Sequence, residues 1–150
     1  PLQLMSPEVV TQWYRAPELL FGACEYDAGI DMWSIGCLFA ELWIRQPLFQ
    51  GNGKFSELDQ LGKIFMIMGT PSEATWPDVG LLCRFVDFQA TSATPLSQVL
   101  PENADSNAAA LLGALLGDGM NPNKRLAAVE ALEHRYFEVQ PEPTPPSQLP

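Results

Sequence analysis

The stretch EVVTQWYRAPELLFG, residues 8–22, decides how the rest of the chain is read. It has no amphipathic period. Val9, Val10 and Thr11 are β-branched and favour an extended backbone. Trp13 and Tyr14 add bulk, Arg15 adds a fixed cationic fork, and Pro17 presets φ for a first helical turn. The sequel GIDMWSIGCLFAELW, residues 29–43, is apolar nearly all round, with Ile30, Met32, Trp33, Ile35, Leu38, Phe39, Leu42 and Trp43. A helix of that kind belongs inside a domain. A loop rich in side-chain chemistry is thus tethered to a buried helix, the arrangement in which binding loops are commonly held.

Composition bounds what surrounds this pair. The 150 residues suit one domain or most of one, and 47% apolar residues suffice for a core. No apolar run reaches the ~18 residues of a membrane span, because Asp31, Glu41 and Arg45 punctuate the longest one. No secretory signal pattern is expected at the start. Eighteen acidic against eight basic residues give a net charge of −10, which argues against a nucleic-acid partner and fits a solvated face. Cys24, Cys37 and Cys83 are odd in number and lack CxxC spacing, so they read as small hydrophobes in a reducing intracellular compartment. No His/Cys/Asp cluster has zinc spacing, and His134 stands alone near a helix end, as a surface or capping residue does.

Outward from the opening stretch, the pattern predicts a helical turn over 16–22 ended by Gly22. The buried helix is predicted from Asp27 or Gly29 to about Arg45, stopping before Pro47. Gly53-Lys54 is no phosphate loop, since the leading glycine is absent and Phe55 follows the lysine. Ser56 is expected to cap a helix through Met68 with Leu58, Leu61, Ile64, Phe65 and Met68 on one stripe, ended by Gly69. A short turn over 72–76 follows. Residues 77–104 read as mostly irregular, with Phe85, Val86 and Phe88 as core anchors. Asp105 or Ser106 is expected to cap a helix through Leu116, broken by Gly117-Asp118-Gly119. A last helix is predicted over 127–132 and onward through Glu133 and His134, with Tyr136-Phe137 tucked into the core. Ala127 stands at its capping position, where losing a hydroxyl cap costs about 1 kcal/mol and favours fraying. PEPTPPSQLP, residues 141–150, reads as a polyproline-like tail.

These residues resemble the end of the activation segment and the following helix of a eukaryotic protein kinase. Ala16-Pro17-Glu18 is similar to the triplet that closes that segment, and Asp31-Met32-Trp33-Ser34-Ile35-Gly36 to the start of the central helix. Val9-Val10-Thr11 and Trp13-Tyr14-Arg15 narrow the resemblance to the cyclin-dependent branch. Further matches are Leu58-Asp59-Gln60-Leu61, Gly69-Thr70-Pro71, Trp76-Pro77-Asp78 and Asn121-Pro122-Asn123-Lys124-Arg125. Pro143-Thr144-Pro145 with Gln148-Leu149-Pro150 resembles the members that activate other cyclin-dependent kinases. The chain carries no Gly-rich loop, strand lysine, His-Arg-Asp loop or Asp-Phe-Gly motif. The resemblance therefore implies a mainly α fold: a partial protein-kinase-like C-terminal lobe, lacking the N-lobe and the catalytic loop and starting within the activation segment. Residues 1–139 would be the partial domain and 140–150 the proline-rich tail.

The resemblance also implies roles. Ser6 stands where the family carries its activating phospho-acceptor, normally a threonine, and Pro7 after it makes a proline-directed site. Phosphate there would order a loop against arginines elsewhere in the whole kinase. The threonine matching Thr11 bonds the catalytic aspartate and lysine. Val9 and Val10 would line the substrate, with the Val10 carbonyl turned away and satisfied by Arg15. Glu18 and Arg125 would form a buried bidentate ion pair, although nothing in their spacing suggests one. Asp31 would anchor the backbone of the catalytic loop. The plainer readings are an unmodified Ser6, a surface ion pair for Arg15, and a helix-start carboxylate for Asp31.

The implied function is an ATP- and Mg²⁺-dependent, proline-directed serine/threonine kinase with a cyclin-type regulatory subunit and Ser/Thr-Pro protein substrates, nuclear or cytoplasmic. No residue here would bind the nucleotide or metal, no nucleophile–base pair is legible, and this chain alone is expected to be inactive. The alternative is a non-catalytic truncated or pseudokinase module that engages a partner through exposed apolar surface. A third reading offers only the tail to an SH3- or WW-type groove, and is weakened by the lack of a flanking Arg or Lys.

Overall fold

A computed structural model describes residues 12–51, 57–139 and 146–148. No strand occurs among them. After a 3-10 turn at Gln12–Tyr14 come α1 (Pro17–Leu20), α2 (Gly29–Ile44), α3 (Glu57–Met68), α4 (Leu96–Val99), α5 (Ser106–Leu116) and α6 (Ala128–Leu132).

α2 is the axis. The Asp27 carboxylate accepts from the Gly29 N–H at 2.7 Å just ahead of its first turn. At the other end Arg45 adopts a left-handed conformation (φ 61°, ψ 24°) and donates its N–H to Glu41 O at 2.8 Å. That is the helix-stop geometry that more often recruits glycine. Trp33, Cys37 and Ala40 are fully buried, and Trp33 stacks on Phe49 at 5.3 Å. Gly36 faces α5: a methyl group there would meet Leu116 Cδ2 at 2.9 Å and Leu115 Cβ at 3.1 Å. The missing side chain is what allows this close approach. α5 is capped by Asp105, which accepts from the Ala108 N–H at 2.8 Å, and it buries Leu111, Leu112, Leu115 and Leu116. A second knot of the core gathers Phe65, Trp76, Phe85 and Phe88 around the buried Phe21.

Several expectations meet a different outcome. In α3 Leu61, Ile64 and Phe65 are buried, but Leu58 is exposed and Gln60 is buried in its stead. The Gln60 amide donates to Phe49 O at 3.0 Å, and that bond makes its burial tolerable. Ser56 and Gly53-Lys54-Phe55 lie outside the described residues. Within 77–104 the chain forms a 3-10 turn at Val79–Leu81 as well as α4, and Val86 is exposed while Phe85 and Phe88 pack on the core. The last helix stops at Leu132. His134 is extended, and its Nδ1 accepts from the Tyr136 N–H at 3.1 Å, which caps the next turn rather than prolonging α6. Ala127 offers no side-chain acceptor, yet the Glu130 carboxylate accepts from the Ala127 N–H at 2.8 Å, half of a capping box. Tyr136 meets Phe39 edge-on at 5.1 Å, whereas Phe137 stays largely exposed.

α2 is not enclosed on every side. Ile35, Leu38 and Leu42 are 47%, 52% and 68% exposed, and their spacing sets them on one stripe with the exposed Asp31 at its N-terminal end. Covering what remains exposed of each apolar member would be worth about 1–2 kcal/mol. The purified chain is expected to bind a hydrophobic dye and to self-associate through this stripe. Changing Ile35, Leu38 and Leu42 together to Gln should remove most of the dye signal with helix content unchanged by circular dichroism. Undiminished dye binding in the triple variant would place the exposed apolar surface elsewhere.

Candidate functional site

The loop from 12 to 18 is moored to α2 and to the end of α5. Ala16 is extended (φ −63°, ψ 144°) and Pro17 opens α1, so Glu18 falls in a first turn that points inward. The Glu18 carboxylate is buried and receives Arg125 in a fork: Nη1 donates to Oε1 at 2.6 Å and Nη2 to Oε2 at 2.7 Å. Nη1 also donates to Gly29 O at 2.9 Å, Nη2 to Met120 O at 3.2 Å, and Nε to Leu116 O at 3.3 Å. Every N–H of the guanidinium is therefore satisfied. Its plane lies over the Trp33 ring, 5.2 Å from the centroid. One side chain thus ties α1, the start of α2, the end of α5 and the turn at 118–120.

The turn is shaped for this. Gly117, Gly119 and Met120 all have positive φ. A side chain at Gly117 would meet Asn121 O at 2.7 Å and Arg125 Cγ at 2.9 Å, so glycine is required where the chain folds back over the arginine. The Asn121 Oδ1 then accepts from the Asn123 N–H at 3.0 Å and sets the 3-10 turn Pro122–Lys124 that delivers Arg125.

A second mooring was not legible in the sequence. The Tyr14 hydroxyl donates to Glu41 Oε2 at 2.7 Å, and Ser34 Oγ lies 2.9 Å from Tyr14 O and 3.1 Å from Ile30 O, its hydrogen shared between them. The hydrogen bond to Glu41, with burial and the carboxylate's charge behind it, pushes the Tyr14 phenol up to about 12. Between the two moorings sits Arg15, buried, its N–H donating to Gln12 O at 3.1 Å. Tyr14 and Glu41 are 27 positions apart, and no local signal links them.

Asp31 stands exposed in the first turn of α2, at the head of the open stripe. Val9, Val10, Thr11 and Ser6 lie outside the described residues. Burial pushes the Cys37 thiol well above its ordinary range, which suits an inert packing residue. Among the described residues no His/Cys/Asp/Glu group could hold a metal, and no helix is long and apolar enough to cross a membrane. The arrangement positions a segment.

Comparison with known proteins gives this geometry its context. The family model for the protein kinase domain matches residues 2–137. Cyclin-dependent kinase D-1 of Oryza sativa subsp. indica is 46% identical over 150 residues, which is 100% of this chain and 34% of that protein. Cyclin-dependent kinase D-1 of Arabidopsis thaliana is 43% identical over 150 residues, 100% of this chain and 36% of that protein. Cyclin-dependent kinase 7 of Carassius auratus is 44% identical over 150 residues, 100% of this chain and 42% of that protein. The chain thus spans roughly a third to two fifths of these curated relatives.

Proposed function

The chain belongs to the protein kinase family, and from that premise we propose that it is the substrate-side, C-terminal part of a cyclin-dependent-type, proline-directed serine/threonine kinase. The observation that carries the reading is the mooring of residues 12–18 at Tyr14, Ser34 and Glu18. A segment fixed at that many points is the kind of base on which a substrate loop keeps its geometry.

On this reading Val9, Val10, Thr11 and Arg15 receive a protein substrate. The family resemblance implies a Val10 carbonyl that would be turned away and satisfied by Arg15, so that a proline after the phospho-acceptor would lose nothing, because it has no N–H to leave unpaired. Any other residue there strands a donor at about 1–3 kcal/mol, a factor of roughly 5 to 150 in rate. Asp31 holds the catalytic loop, Ser6 takes the activating phosphate, and residues 140–150 form a tail outside the domain. ATP and Mg²⁺ are held by the rest of the protein, and a cyclin-type subunit regulates it.

The test is kcat/KM of the whole protein on paired peptides with proline or alanine after the acceptor. Preference for proline is expected, and Arg15→Ala should narrow the ratio more than it lowers the yield of folded protein. Indifference of the unaltered enzyme to that position would remove the proline-directed assignment. A second reading, a non-catalytic interaction module, draws on the open stripe of Ile35, Leu38 and Leu42. Absence of phosphoryl transfer by the whole protein, with its regulatory subunit present, would favour that module.

A further inference from the structure

Two of the three thiols converge on a single carbonyl oxygen. Cys83 Sγ lies 3.1 Å from Gly22 O and 3.8 Å from Phe21 O, and Cys24 Sγ lies 3.7 Å from the same Gly22 O. The sulfurs can therefore be no further apart than two of these contacts laid end to end. The backbones that carry them are joined as well, since the Arg84 N–H donates to Phe21 O at 3.0 Å. Gly22 makes the approach possible: at φ +80° it has no side chain, and a Cβ there would sit 2.7 Å from Cys83 Sγ. Both thiols are exposed, whereas Cys37 is buried. The Arg84 side chain, whose guanidinium pairs with Glu57, packs beside the same glycine, where a Cβ at Gly22 would meet its Cδ and Cγ at 3.0 Å.

We propose that Cys24 and Cys83 are a redox modification site, a dithiol that a hydroperoxide converts to an intrachain disulfide. One thiolate attacks a peroxide oxygen, the O–O bond breaks, and water leaves after protonation, which gives a sulfenic acid. The second thiolate attacks that sulfur, the S–O bond breaks, the S–S bond forms, and a second water leaves. Two thiols and one hydrogen peroxide become one disulfide and two waters, with sulfur oxidised and peroxide reduced. The product staples the segment after α1 to the loop at 82–84 and closes a long ring, which constrains the unfolded chain. This inference stands apart from the kinase reading.

The experiment treats the reduced, purified chain with a few equivalents of hydrogen peroxide, alkylates the remaining thiols, and maps the peptides by mass. The expected product has lost two hydrogens, joins the Cys24 and Cys83 peptides, leaves Cys37 to be alkylated, and reverts with dithiothreitol. It should form at least roughly tenfold faster in buffer than in 8 M urea, because the fold and not chance encounter supplies the local concentration. Cys37→Ser should leave the cross-link intact, and Cys24→Ser or Cys83→Ser should abolish it. Equal rates in buffer and urea, a cross-link through Cys37, or sulfinic acid at Cys24 and Cys83 without a bridge would each overturn the proposal.

Discussion

Arg125→Ala is expected to remove a large share of the chain's stability and to lower its urea midpoint steeply. The guanidinium spends all its N–H groups on Glu18 and the carbonyls of Gly29, Leu116 and Met120. Its removal leaves a buried carboxylate with no cation and three carbonyls without their donor. Breaking a buried pair from one side costs about 3–5 kcal/mol, a large share of the ~5–15 kcal/mol that holds a domain together. Arg125→Lys should recover only part of this, because an ammonium cannot reproduce the planar fork that meets two carboxylate oxygens at once. Glu18→Gln, which keeps shape and loses charge, should fall between the parent and Arg125→Ala. Urea unfolding followed by circular dichroism reads all three. A midpoint for Arg125→Ala that matches the parent would mean that water replaces the guanidinium at no cost, and the mooring would not be what holds α1.

The second expectation is a total one: the 150-residue chain, purified alone, transfers no phosphate. The chemistry needs ligands for Mg²⁺, a base beside the attacking hydroxyl and a cradle for the phosphates. The chain contains neither a His-Arg-Asp nor an Asp-Phe-Gly sequence, and no metal-holding group occurs among the described residues. Labelled ATP, Mg²⁺ and a Ser-Pro peptide give the measurement. Turnover above a no-protein control would require a catalytic group that neither the sequence nor the site discloses.

What could be read from the sequence follows the range of the forces involved. The end of α2 near Arg45, the Asp105 cap of α5 and the break at Gly117 are local matters of propensity and capping, and local residues announce them. The burial of Gln60 could not be read, because its partner is a loop carbonyl that periodicity does not see. The exposure of Leu58 and Val86 failed for the same reason, since apolar character says a side chain can be buried but not that a neighbour arrives to cover it. α4 is one turn long and leaves no period to find. The partnership of Glu18 with Arg125 came from family resemblance alone, and those of Tyr14 with Glu41 and Cys24 with Cys83 had no signal of any kind. Val9, Val10, Thr11 and Ser6 lie outside the described residues, and the roles assigned to them rest on the proposal.

The Glu18–Arg125 pair joins positions 107 apart, and that separation has a kinetic meaning. Helices of ten to fifteen residues form within about a microsecond from their own hydrogen bonds. A contact that ties one end of the domain to the other must wait until the chain between has been ordered, since loop closure is an entropic debt settled before the contact gives anything back. The pair should therefore be absent from the transition state for folding. A change at Arg125 then appears almost wholly in the unfolding limb of a chevron plot, with the refolding rate little altered. The arginine acts as a latch: it does not guide the chain to its fold, but it sets how long the fold lasts.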